Sequence, residues 1–234
     1  MRTGHSKSAG GAKSSGSGTF STGFFHTIVA LLWGIVRVWY GLKVVGRENL
    51  ISASGPIITV SNHVAALDCG MIASAQLGRR FAFTSLASNF RLPVAGFFVR
   101  HLGCVPVPSR GNDEERAVFA AAVAERLRWV DARGRGWVVH FFPEGALRPY
   151  SAELGEFRHG AFTVACQNNV PVVPVVITWH KAGPLRRLLR RKPRAVLTIH
   201  PPIHPLGPTP KDAQALAALC RAAMCSDLRF QTIG

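Results

Sequence analysis

Ile57-Ile58-Thr59-Val60-Ser61-Asn62-His63-Val64-Ala65-Ala66-Leu67-Asp68 carries the chain from a β-branched apolar run, through a polar cluster, to the start of a helical stretch. A short apolar run rich in Ile and Val reads as a buried strand. In α/β sheets the chemistry collects where such strands end. Within one regular helix His63 and Asp68 would lie roughly 140° apart, since each residue turns about 100°. The pair can therefore meet only if His63 stands in the loop and Asp68 in the first helical turns. From there the carboxylate folds back to the imidazole, fixes its tautomer and stabilises its protonated form, which makes a general base. A histidine before a helix is more often an ordinary structural residue, so the rest of the chain has to decide.

Outward from this stretch, short β-branched runs alternate with longer helical ones, the pattern of an α/β domain. The strands expected are Ile57–Val60, Arg80–Thr84, Cys104–Val107, Trp137–Phe141, Val172–Thr178 and Ala195–His200. The helices expected are Ala66–Leu77, Asp113–Val130, His159–Asn168 and Asp212–Leu228. Asp113, Glu114 and Glu115 suit a helix N-terminus, and the apolar run Val170–Ile177 suits a buried central strand. Phe97 and Phe98, with Val99 and Leu102, read as core packing, with an acyl channel as the alternative. The segment Gly183–Arg194 would place Leu185, Leu188 and Leu189 on one side of a helix among arginines, either a lipid-headgroup clamp or a solvated basic loop.

A chain of 234 residues with 47% hydrophobic content can bury one sizeable core. Residues 1–23, rich in Gly, Ser and Lys, cannot offset the entropy of ordering and are expected to stay outside the fold. Residues 24–45 open with FFHTIVALLWGIVRVWY, expected to anchor the chain in a membrane by spanning it or lying on it. Residues 46–234 then form the catalytic domain. The formal net charge of +16 attracts anionic partners. No basic-aromatic recognition motif accompanies it, so nucleic acid is not expected. Five cysteines without a CxxC pair suit reduced thiols, and neither a disulfide framework nor a metal site is expected.

Asn62-His63-xxxx-Asp68 is followed in order by Gly103-Cys-Val-Pro-Val107-Pro-Ser-Arg110, Phe142-Pro143-Glu144-Gly145 and Val170-Pro-Val-Val-Pro174. Val44-x-Gly46-x-Glu48-Asn49-Leu50 precedes them, and Phe157-Arg158-His159-Gly160-Ala161 falls after the third. Over roughly residues 42–180 the chain resembles the 1-acylglycerol-3-phosphate acyltransferases, the HxxxxD type of glycerolipid acyltransferase. That resemblance implies a single-domain mixed sheet flanked by helices, here with an N-terminal membrane-anchoring helix. It also implies transfer of a fatty acyl group from acyl-CoA or acyl-carrier-protein to a lysophospholipid, with no cofactor and no covalent enzyme intermediate. His63 becomes the base and Asp68 its orienting partner.

The resemblance further assigns the acceptor's phosphate to Arg110 and to the turn containing Glu144 and Gly145, with Arg148 reaching the headgroup. A guanidinium matches phosphate geometry, and a glycine lets backbone approach a ligand. Glu144 would repel phosphate and is expected to position a basic residue or a glycerol hydroxyl. Two departures stand out. Arg110 lies one position later after Gly103 than in the family pattern, and Ala146-Leu147-Arg148 replaces Thr-Arg-Ser after Glu144-Gly145. The expected location is the cytosolic face of a membrane, a bacterial inner membrane or its equivalent. Glycerol 3-phosphate and a lyso-ornithine lipid remain alternative acceptors, and a lipid hydrolase using the same base is the alternative reaction.

Overall fold

The structure, a computed structural model, describes residues 22–75, 79–108, 112–189 and 193–232. It begins with helix α1 (Thr22–Tyr40), strand β1 (Lys43–Val45), a short α2 (Glu48–Ile51), β2 (Gly55–Ser61) and α3 (Asp68–Ala75). Next come β3 (Phe81–Leu86), α4 (Pro93–His101), β4 (Val105–Val107), α5 (Asp113–Leu127) and β5 (Arg135–Phe141). The chain ends with α6 (Gly160–Asn168), β6 (Val172–His180), α7 (Pro184–Leu188), β7 (Arg194–Ile199) and α8 (Pro210–Leu228).

The strands form one seven-stranded sheet in the order β1-β7-β6-β2-β5-β3-β4. β2 runs parallel to β5 and β6, and β3 runs parallel to β5 and β4. β6 and β7 are antiparallel, which makes the sheet mixed. Successive side chains on a strand face opposite ways, so each central strand feeds two cores. Ile57, Val138, Val173, Val175 and Ile177 pack with Met71 and Ile72 of α3. Ile58, Val60, Val139, Val172 and Val176 pack with residues of α5, α6 and α8. The sheet is buried on both faces, as a largely parallel sheet must be.

Local signals explain the helix boundaries. Asn112 accepts a hydrogen bond from the Glu115 backbone N–H at 2.9 Å, capping α5 beneath its acidic first turn. α8 opens on a reciprocal capping box between Thr209 and Asp212, with Pro210 inside its first turn. α3 begins at Asp68 rather than Ala66, because the Asp68 side chain holds the turn in front of it.

One expectation is corrected. Among the described residues no helix is long and apolar enough to cross a membrane, so a spanning anchor is not supported. In α1 the apolar run is diluted by His26, Thr27, Gly34 and Arg37. Val36 and Tyr40 are buried in the core beside α3, and the Tyr40 ring meets Trp179 edge-on at 5.3 Å. The outer side of α1 still exposes Leu31, Ile35, Val38 and Trp39. The expected tail 1–23 lies outside the described residues except for its last two positions.

Candidate active site

β2 ends at Ser61, and the following residues are fixed by their own polar groups. The Asn62 side chain donates from Nδ2 to the Ile177 carbonyl at 2.9 Å and accepts from the Ile177 N–H at 2.8 Å. It thus stands in for a further residue of the ladder with β6, and it is 1% exposed. His63 follows at the open end of the sheet. Its Nδ1 lies 2.9 Å from Asp68 Oδ2. The same oxygen accepts from the Val64 N–H at 2.6 Å and the Ala65 N–H at 2.9 Å.

Three donors on one carboxylate oxygen make Asp68 the acceptor, so Nδ1 of His63 carries its proton and Nε2 keeps a free lone pair. Burial raises the Asp68 carboxyl pKa above its ordinary value, while the hydrogen bonds from His63, Ala65 and Val64 pull it back. Its Oδ1 is buried with no partner. An imidazolium formed on His63 would therefore meet a carboxylate shielded from water, where attraction between opposite charges is strong.

Behind this pair sits His140 of β5. Parallel pairing of β2 and β5 sets Thr59 against His140, and both are 0% exposed. The Ser61 hydroxyl donates to the Asn62 carbonyl at 3.0 Å. Ser61 therefore accepts from His140 Nε2, at 3.2 Å, and the Thr59 hydroxyl donates to His140 Nδ1 at 2.8 Å. One neutral tautomer satisfies every group. Burial, with the nearby His63 as a smaller cause, depresses the His140 pKa to about 3. The Phe142 ring then bridges the two histidines. It stacks on His63 with centroids 4.2 Å apart and meets His140 edge-on at 4.7 Å.

The loop after β5 wraps this site. The Arg148 N–H donates to the His63 carbonyl at 2.7 Å, and the Tyr150 N–H to the Val64 carbonyl at 3.0 Å. Glu144, with its side chain only 2% exposed, accepts from the Gly155 N–H at 2.7 Å and lies 3.6 Å from Arg148 Nε. It braces the loop from within rather than facing a ligand. Gly145 adopts φ +66°, and a Cβ there would sit 2.8 Å from Arg158 Nε.

A cavity of about 1000 Å³ opens beside these groups. His63, Phe142, Gly145 and Arg158 line it, with Ile28 of α1 among its mainly apolar walls. Val99 and Leu102 also line it, whereas Phe97 is exposed and packs on His101 at 4.1 Å. Arg148 is not in the wall, and the expected Arg110 lies outside the described residues. Cys69 lines the cavity too, but burial raises its thiol well above the ordinary range, first by desolvation and then through Cys104 and Asp68. It is a thiol, not a ready nucleophile. Sequence reasoning gave no role to His140, Phe142 or Arg158, although Phe142 and Arg158 stood within quoted motifs.

Residues 41–178 match the family described as acyltransferase. A chloroplastic 1-acyl-sn-glycerol-3-phosphate acyltransferase of Arabidopsis thaliana is 35% identical over 155 residues, 65% of this chain and 41% of that protein. A protein of the same name from Chlamydomonas reinhardtii is 30% identical over 206 residues, 87% of this chain and 58% of that one. The chain thus spans about half the length of the curated relatives it matches. In fold it is similar to the 1-acyl-sn-glycerophosphate acyltransferase PlsC of Thermotoga maritima, with a TM-score of 0.60 at 19% identity over 89% of this chain and 81% of that chain. The family match takes in β1 through most of β6, including His63 and Asp68, and covers more than half of the residues: the chain belongs to the acyltransferase family.

Proposed function

We propose that the protein is an O-acyltransferase that moves a fatty acyl group from a thioester donor to the free hydroxyl of 1-acylglycerol 3-phosphate, giving phosphatidic acid. The observation that carries this reading is His63, whose Nδ1 is held by Asp68 and whose Nε2 is left free in the wall of a largely apolar cavity. In the reaction, Nε2 takes the proton of the acceptor hydroxyl as its oxygen attacks the thioester carbonyl. The carbon–sulfur bond then breaks, and the imidazolium returns that proton to the leaving thiolate. Asp68 stabilises the imidazolium between the two transfers. No residue of the chain is acylated, which agrees with the protonated state of Cys69.

The apolar walls suit an acyl chain, and a cavity of about 1000 Å³ is at the upper end of ordinary ligand sites. On the acceptor side, Glu144 and Gly145 shape the turn and Glu144 steers Arg148, with Arg110 as a further contact to phosphate. The donor is acyl-CoA or acyl-carrier-protein, both anionic and both drawn by the charge of +16. The exposed apolar side of α1 lies on the cytosolic face of an anionic membrane, without crossing it. No cofactor enters the chemistry.

Acyl transfer by detergent-purified protein, with radiolabelled acyl-CoA and lysophosphatidic acid, tests the reading. Labelled phosphatidic acid is expected from the wild type and not from His63→Ala. Free fatty acid appearing instead, at a rate independent of the acceptor, would replace transferase with hydrolase. Undiminished product from His63→Ala would remove His63 from the chemistry.

A further inference from the structure

The cavity beside His63 holds two arginines among the described residues, Arg116 and Arg158, and they differ in how free they are. Arg116 on α5 is 3.2 Å from Asp113 in a pair whose side chains are both largely exposed. Arg148, outside the cavity wall, is drawn toward Glu144. No ion pair among the described residues engages Arg158. Its backbone N–H is tied to the Pro143 carbonyl at 2.9 Å, and its guanidinium lies across Gly145.

The contact with Gly145 is close. A Cβ at that position would meet Nε at 2.8 Å, Cζ at 3.0 Å and Cδ at 3.3 Å of Arg158. Glycine is required there for its positive φ, and its bare Cα leaves room for the arginine laid over it. The backbone of one turn, Phe142-Pro143-Glu144-Gly145, thus carries the ring that stacks on His63 at one end and seats a guanidinium at the other. An acceptor that presents a hydroxyl to His63 and a phosphate one carbon further along has both functions within a few ångströms of each other.

We infer that Arg158 binds the phosphate monoester of the acceptor and contributes the preference for phosphorylated over neutral monoacylglycerols. The inference rests on the acyltransferase reading above and adds the residue that reads the headgroup. A planar guanidinium gives two parallel hydrogen bonds to a phosphate, which a neutral glycerol hydroxyl cannot match. The phosphates of acyl-CoA present the same chemistry, so the test separates the two sources.

Steady-state kinetics of Arg158→Gln should show an acceptor KM raised about 10- to 100-fold, the range for losing a charge-assisted contact, with donor KM unchanged. Arg158→Lys should recover part of the loss. A rise confined to the acyl-CoA KM would overturn the inference by moving Arg158 to the donor, and unchanged constants for both would overturn it outright. A second arm does not depend on turnover. In the His63→Ala background, calorimetric titration with a short-chain lysophosphatidate below its micelle concentration is compared with the matching neutral monoacylglycerol. Loss of Arg158 should weaken the first at least tenfold and leave the second unaltered, while equal affinities with and without Arg158 would sink the inference. If that difference holds while the wild type, with His63 in place, transfers no acyl group, the headgroup assignment stands and the acyltransferase reading falls.

Discussion

The loop that carries His63 and the loop that carries the arginines meet at the same end of the sheet, after neighbouring strands β2 and β5, yet they are held in opposite ways. Asn62 and Asp68 are at most 1% exposed, and Asn62 bonds the β6 backbone through both atoms of its amide. The Arg148 side chain is half exposed, and its one carboxylate contact is long at 3.6 Å. Proton transfer needs heavy atoms placed within tenths of an ångström, and buried groups fixed by several hydrogen bonds, as Asp68 is through Oδ2, hold that tolerance. Binding a phosphate needs charge and donors within reach, which long side chains in water supply. Damage to the first loop should therefore appear in kcat, and damage to the second in acceptor KM.

Asp68→Asn tests that division most severely. The amide oxygen can still accept from Val64, Ala65 and His63, so the geometry survives while the charge that stabilises the imidazolium is lost. kcat should fall on the order of 10²–10⁴-fold, the span of general-base assistance, with acceptor KM nearly unchanged. A rise in KM of similar size would show that the aspartate organises acceptor binding as well, and the contrast between the loops would dissolve.

The second prediction probes the buried side of the same loop through pH. His140 is neutral when folded, with a pKa of about 3 against an ordinary 6.5. The unfolded chain therefore takes up this proton first as pH falls. The stability that neutral His140 represents is complete above pH about 6.5 and is lost on acidification toward about 3, at roughly 1.4 kcal/mol per pH unit. The buried Asp68, with its pKa raised, works in the opposite direction at the acid end of this range. Chemical denaturation of wild type and His140→Gln at pH 6 and pH 4 isolates the histidine. The wild type should lose about 2–3 kcal/mol more than the variant over that interval. Equal losses would mean that the burial of neutral His140 does not contribute to the acid sensitivity of the fold.

How much of this was readable beforehand follows from the range of each interaction. The HxxxxD geometry was legible because His63 and Asp68 are five residues apart, and helix periodicity alone forces the histidine into the loop. The central strands were legible from their apolar runs. Strand β1 was missed because three residues at a sheet edge carry too little pattern, and it is specified by its pairing with β7, about 150 residues later. α4 was also missed: Pro93 opens it, but its only strong feature is the apolar run read as core. The spanning anchor failed because α1 shares its apolar residues between the core and an exposed side. His140 had no local signal at all, since its partners Thr59 and Ser61 lie about 80 residues away and arrive only through the parallel register. Arg158 sat in a motif match, but nothing along the chain tells which of two arginines ten residues apart reaches the cavity.

That last ambiguity sets the smallest predicted effect and the sharpest use of the comparison. Arg148 meets Glu144 at 3.6 Å with half of its side chain in water, a pairing worth about 0–1 kcal/mol at most. Its structural service to the site is the backbone N–H bond to the His63 carbonyl, which a substitution of the side chain leaves in place. Arg148→Ala should therefore raise acceptor KM by no more than about threefold, well below the change expected for Arg158→Gln, and should leave kcat within the same factor. If the order is reversed, Arg148 swings from Glu144 to the phosphate when the acceptor binds, and the bracing carboxylate of Glu144 becomes the resting partner of the headgroup ligand.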